Sequence, residues 1–181
     1  MKRPRTLASL GLTILVIAAV LFFFFGISRR YTVSTPAMEP TLHCAKPARG
    51  CEGGESDRVL VVHLFYTPGR GDVVAVKAPR SVGLCAETGT TFRRLVGLPG
   101  DTVTETSGRF TVNGQPLNDT YVQHRDSGRG AWRVPQGRYF VLADNRTGSC
   151  DSRQWGTLKR DQIVGEAVLV YWPIRRVGSP S

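Results

Sequence analysis

Acidic residues are missing from the first 30 positions, which hold Lys2, Arg3, Arg5, Arg29 and Arg30. That absence splits the formal net charge of +10: half of the excess flanks one N-terminal segment, and the rest of the chain carries 19 basic and 14 acidic residues. No lysine-rich run gathers the remaining charge. Duplex nucleic acid is therefore not an expected partner, and a modest attraction to anionic lipid headgroups is what remains. Charge is absent altogether from Thr6 to Ser28, 23 mostly apolar residues that include the run Phe22 to Phe25. As a helix rising about 1.5 Å per residue, this segment would reach roughly 34 Å, enough to cross a bilayer. A small-residue cleavage site is also lacking, since Gly26-Ile27-Ser28-Arg29-Arg30 follows where a secretory signal would end in an A-x-A pattern. The expectation is a retained single-pass anchor over 6–28. Residues 1–5 would then be cytoplasmic, with everything after the anchor outside.

Helical periodicity is missing after Arg30. What is present are short β-branched runs bounded by Gly and Pro: Arg58 to Phe65, Asp72 to Val76, Arg94 to Val96, Arg109 to Val112, Tyr139 to Leu142 and Ile163 to Tyr171. Asn113-Gly114 after Phe110-Thr111-Val112 predicts a two-residue hairpin, because both central positions of a type I′ turn need φ > 0. No internal repeat is visible. The sum is a mainly β, antiparallel domain over 31–174, with a tail at 175–181. Ala45 to Asp57, rich in glycine and charge, reads as an irregular segment.

Cysteine is scarce: Cys44, Cys51, Cys85 and Cys150, all in the part placed outside, where disulfides persist. Three pairings are possible, and Cys44–Cys51 with Cys85–Cys150 is preferred. The shorter ring would stabilise by about 2.5 kcal/mol in the chain-entropy model. His43 beside Cys44 raises a zinc reading, but without a second close-spaced pair it is weak, and neither metal nor cofactor is expected.

Three further stretches carry chemistry: Thr35-Pro36-Ala37-Met38-Glu39-Pro40-Thr41-Leu42, Phe92-Arg93-Arg94-Leu95-Val96-Gly97-Leu98-Pro99-Gly100-Asp101 and Asp144-Asn145-Arg146-Thr147-Gly148-Ser149-Cys150-Asp151-Ser152-Arg153. In this order after an apolar segment, and with Arg70-Gly71-Asp72 between, they resemble the type I signal peptidases, membrane enzymes that remove leader peptides with a Ser–Lys dyad. The resemblance implies a serine where this chain has Ala37 and a lysine where it has Arg93. It further implies that Thr35 supplies an oxyanion hydroxyl and that Ser149 orients the base. Asp144, Asp151 and Arg153 would support the site, the last two as strand neighbours or as an arginine fork. Val33, Met38, Leu42 and Phe92 would line pockets for small side chains of an extended peptide, unless they are plain core. Ala143 stands where the family carries a glycine, at a position that would suit φ > 0.

A Ser–Lys peptidase needs a hydroxyl to attack and a neutral amine to take its proton. Ala37 has neither, and guanidinium stays protonated in proteins. The expectation is a membrane-bound signal-peptidase-like pseudoenzyme that binds leader-like peptides with small side chains, or serves a secretion or surface-assembly machinery. The alternatives are a working serine-type leader peptidase rescued by Thr35 or Lys77, and a membrane scaffold that binds no peptide.

Overall fold

The computed structural model describes residues 4–22, 26–79, 85 and 89–180. Helix α1, Pro4–Phe22, has 19 residues. Among the described residues no helix is long and apolar enough to cross a membrane. The expected continuous helix over 6–28 is corrected at its far end, and residues 23–25 lie outside the description. Ser28 is already strand: β1, Ser28–Thr32, pairs antiparallel with β2, Arg58–Val62, from Ser28 opposite Val62 to Thr32 opposite Arg58. The pairing with β2 thus draws Arg29 and Arg30, which the sequence placed just beyond the anchor, into the edge of the sheet.

The strands that follow are β3 (Val73–Lys77), β4 (Thr90–Gly97), β5 (Thr102–Thr106), β6 (Arg109–Val112), β7 (Gln115–Pro116), β8 (Arg129–Arg133), β9 (Arg138–Leu142), β10 (Leu158–Lys159) and β11 (Ile163–Trp172). They form a seven-stranded sheet in the order β1-β2-β11-β3-β4-β9-β10 and a four-stranded sheet in the order β7-β6-β5-β8. Every strand pair is antiparallel. The mainly β architecture read from the sequence is the one observed. The hairpin at Asn113-Gly114 is present, with φ of 52° and 80° and Val112 opposite Gln115. The run Arg58 to Phe65 stops early, because Phe65 turns to φ 60° and leaves the sheet almost fully exposed.

Alternation along β3 and β4 sorts the core into layers. Val73, Ala75 and Phe92 join Val33, Met38, Leu42, Val59 and Val61 on one face of the large sheet. Val74, Val76 and Leu95 join Val141, Leu158 and Ile163 on the other. A third cluster, with Val96, Val103, Phe110, Val134 and Phe140, lies where the two sheets meet. Gly97 is the crossing point: a Cβ there would stand 2.8 Å from the Phe140 Cβ and 2.9 Å from Val134 Cγ2. This close approach holds the end of β4 against Val134 and Val103 of the neighbouring layer.

Both expected disulfides are present, Cys44–Cys51 and Cys85–Cys150, with Cα separations of 5.0 and 5.5 Å. The first pins the irregular 45–57 segment, where Ala45 also bridges to Gly53. The stretch read as a tail is tied down as well. Arg176 forks onto Asp57 and donates to the Thr41 carbonyl at 3.0 Å, and Gly178 bridges to Val170.

Candidate functional site

Pro36 fixes the entry of a single 3-10 turn, Pro36–Met38, with the extended Thr35 before it. The turn packs against β4, and its carbonyls are held from the 144–153 loop. The Asn145 backbone donates to the Ala37 oxygen at 3.0 Å and Asn145 Nδ2 to the Pro36 oxygen at 3.2 Å. Ala37 and Met38 are buried, while Thr35 is half-buried and its side chain makes no capping bond to the turn.

β4 carries two consecutive arginines, which alternation sends to opposite faces. Arg93 lies on the side of Thr91 and Leu95. It is fully buried, donating from Nε and Nη2 to the Cys150 carbonyl at 2.8 and 2.6 Å, and from Nη1 to Thr91 Oγ1 and the Phe92 carbonyl. Its guanidinium also stands 4.8 Å from the centroid of the Trp155 ring. All three guanidinium nitrogens are engaged, and none can accept a proton. The Cys150 carbonyl meets this guanidinium. The half-buried Ser149 hydroxyl makes no hydrogen bond to it among the described residues.

Arg94 faces the other way and meets Asp144 in a fork, with Nε to Oδ1 at 3.0 Å and Nη2 to Oδ2 at 2.7 Å. Thr41 Oγ1 donates to the same Oδ2 at 2.6 Å, and Arg94 Nη1 reaches the Gly71 carbonyl at 2.8 Å. One carboxylate therefore links the turn segment, β4 and the 144–153 loop. Burial opposes charge on Arg94, but the hydrogen bond and charge of Asp144 outweigh it and its pKa is raised. The Arg94 cation also lies over Tyr121, 4.0 Å from the ring centroid. The sequence named Asp144 as support but missed Arg94, Thr41 and Asn145. The available signal was a charged residue at each of two adjacent positions in a strand otherwise fit for burial.

Asp151 and Arg153 are not strand neighbours. Asp151 is the N-cap of the short helix α2, Ser152–Trp155, and Gln154 completes a capping box. The arginine fork is the geometry present: Arg153 Nε to Oδ1 and Nη2 to Oδ2, both at 2.9 Å. Asp151 Oδ2 also accepts from the Ala143 backbone at 3.0 Å. Ala143 does not adopt φ > 0, so the expected strain at the glycine position does not arise; among the described residues the left-handed non-glycine positions are Phe65, Ser107 and Asn113. Val33, Met38, Leu42 and Phe92 lie together in one apolar cluster, none more than 5% exposed. In this conformation they are core. Lys77 is exposed at the end of β3.

One feature of β4 is open. β9 pairs with it from Arg94 opposite Leu142 onward, whereas β3 pairs along Thr90 to Arg94. The Thr90–Arg93 half therefore has β3 as its strand neighbour on one side and no β9 partner on the other.

A family model for "Signal peptidase, peptidase S26" matches residues 5–172. The chain belongs to this family. It is 32% identical over 180 residues to a probable signal peptidase I-2 of Synechocystis, covering 96% of this chain and 77% of that one. Over 129 residues it is 37% identical to a signal peptidase I of Leptolyngbya laminosa, spanning 68% of this chain and 64% of the relative. A crystal structure of a signal peptidase I from Enterococcus faecalis aligns at 30% identity with a TM-score of 0.47, over 56% of this chain and 97% of that one. Membership places the chain in signal-peptide processing.

Proposed function

We propose that this member of the family recognises extended leader-type peptides without cleaving them. The observation that carries the reading is the commitment of Arg93. Its guanidinium is buried, bonded to the Cys150 and Phe92 carbonyls and to Thr91, and covered by Trp155. A base must give up its proton near neutral pH, and a guanidinium does not. Ala37, aligned with the nucleophile by resemblance, has only a methyl group. Peptide recognition is supported by the Thr90–Arg93 half of β4, which has no β9 partner and beside which an extended segment could add as a strand once Arg93 releases the Phe92 carbonyl. Thr35 and the backbone around Ala37 would be the remaining oxyanion donors.

Membrane attachment belongs to the same proposal, with the N-terminus inside and the β domain outside. Leu10, Leu12, Ile14, Leu15, Ile17 and Phe22 on α1 are all more than half exposed, an apolar surface that water does not tolerate without a partner. Retention of the full-length protein in membranes after alkaline extraction tests this part.

The decisive experiment restores the dyad. Ala37→Ser with Arg93→Lys should give measurable turnover of an Ala-x-Ala leader peptide, while either change alone should not, because nucleophile and base act as a unit. A folded double variant that remains inert would show that the groove itself has drifted. Turnover by the unaltered chain that Thr35→Val abolishes would overturn the non-cleaving reading. If the unaltered chain neither binds nor cleaves the peptide, it is a scaffold without a peptide site.

A further inference from the structure

Two of the chain's three histidines converge on a pair of glutamates beside the Pro36–Met38 turn, although they lie far apart in the sequence. We propose that Glu39, His43, Glu52 and His124 form a binding site for a divalent transition cation of the zinc class. The proposal is independent of whether the chain cleaves peptides.

The Glu39 carboxylate is held in an asymmetric way. Its Oε1 accepts from the backbones of Cys44 and Glu52, each at 3.0 Å, while Oε2 points at His43 Nδ1 and is in contact with it. One oxygen is thus fixed by the loop and the other is presented, the arrangement by which outer hydrogen bonds orient a metal-binding carboxylate. Glu39 is almost wholly buried, with its side chain 1% exposed. His43 is fixed in turn: its backbone N–H donates to Asp57 Oδ2 at 2.8 Å and its carbonyl accepts from the Asp57 backbone at 2.9 Å. One ligand atom each from Glu39, His43 and Glu52 falls within 4.8 Å of the others. His124 Nε2 stands 3.8 Å from Glu52 Oε1. A tetrahedral zinc with bonds of about 2.0–2.2 Å keeps its ligand atoms roughly 3.3–3.6 Å apart, so Glu39 and His43 would part to admit the ion, Glu52 would close on them, and His124 would join through its contact with Glu52.

The disulfide explains why these residues meet. His43 and Glu52 immediately flank the bridged pair Cys44 and Cys51, so closing that ring brings the two ligands to one side of the loop. His124 comes from the segment between β7 and β8, and its carbonyl accepts from the Arg146 backbone at 3.1 Å, which ties this ligand to the 144–153 loop. Imidazole with carboxylate suits zinc and its neighbours, whereas calcium and magnesium prefer oxygen alone. The bridged cysteines supply no thiolate. The site is therefore distinct from the Cys–His zinc reading that the sequence suggested. A bound cation would stand between Glu39 and His43 and lock the turn that carries Ala37 to two other segments.

The test is calorimetric titration of untagged, full-length protein in detergent with zinc chloride, without reductant and with the absence of free thiols verified. One equivalent should bind, calcium and magnesium should not compete, and cobalt(II) should give the intense visible bands of a tetrahedral site. His43→Ala should weaken zinc binding by at least about tenfold, and the partly exposed Glu52→Gln should do so without risk to the fold. Absence of stoichiometric zinc binding would overturn the proposal. So would zinc binding that persists unchanged in both folded variants, since the cation would then sit elsewhere.

Discussion

Two arginine–carboxylate pairs stand at opposite ends of the 144–153 loop, and they are built differently. At the near end Asp144 and Arg94 answer one another: both are buried, the fork is complete, and Thr41 adds a third donor. At the far end Arg153 faces Asp151 in a fork but also meets Asp126, and Glu105 lies 3.7 Å away. One cation thus confronts three carboxylates. Burial disfavours charge on Arg153, yet Asp151, Asp126 and Glu105 together outweigh it and raise its pKa. The surplus negative charge is relieved by a proton. Burial first, then hydrogen bonding and repulsion from Asp126, push the Glu105 carboxyl up to about 7. Asp126 moves the other way; burial opposes ionisation, but the Arg153 charge and the bonds from Gly128, Glu105 and Arg153 hold it below its usual range. The near pair is a clamp that joins three segments, with the charge on Arg94 favoured by Asp144. The far cluster serves as a support whose charge is adjustable.

The sharpest way to break this comparison is to remove charge from each carboxylate in turn. Asp144→Asn leaves the Arg94 guanidinium buried without its counter-charge, and breaking a buried pair from one side costs about 3–5 kcal/mol. Urea denaturation at pH 7 should show a loss of that size, and a change below about 1 kcal/mol would mean that the clamp is not what holds the loop. Asp151→Asn should cost less, about 1–3 kcal/mol. It loses the fork and weakens the cap of α2, but Arg153 keeps Asp126 and Glu105. If the two losses come out in the reverse order, the distinction between a closed pair and a shared cation fails.

How much of this was legible in the sequence depended on whether the signal was local. The Asn113-Gly114 hairpin was readable because φ > 0 at two adjacent positions is a local demand. The strand cores at β2, β3, β6, β9 and β11 were readable from β-branched runs. β1 was not, because Ser28-Arg29-Arg30-Tyr31-Thr32 has the charge of a membrane flank, and only its ladder with β2 makes it strand. In the site, Asp151 and Arg153 were paired by the family resemblance, but the choice of a fork over strand alternation was made by the cap of α2. The Asp144–Arg94 contact joins positions on two different elements, and nothing near either residue announces the other. Glu105 and Asp126 were invisible for the same reason. They come from β5 and from the connection before β8, and become partners only because β5 pairs with β8.

The smallest effect, and the one most specific to the far cluster, concerns Glu105. Its folded pKa of about 7 lies above its ordinary value of 4.5, so between these values the folded protein holds a proton that the unfolded chain releases. A raised carboxyl pKa contributes stability that is complete below pH 4.5 and is lost as pH rises through about 7, because the unfolded state then binds fewer protons. Asp126, whose pKa is lowered, contributes in the opposite sense at acid pH, so the two effects separate along the pH axis. Glu105→Gln keeps the shape and the hydrogen-bonding capacity of the protonated acid while removing the titration. The unaltered protein should therefore lose stability relative to Glu105→Gln as pH rises from about 5 to about 8, and the two denaturation series should run parallel if Glu105 does not titrate in that window. Asp126→Asn in the otherwise unaltered protein should return the pKa of Glu105 toward the ordinary carboxyl range, since one of the two repelling carboxylates is gone and Arg153 is left to favour ionisation. Glu105 in that variant should stop contributing a downward slope at neutral pH, and a slope that persists would mean that burial alone holds its proton.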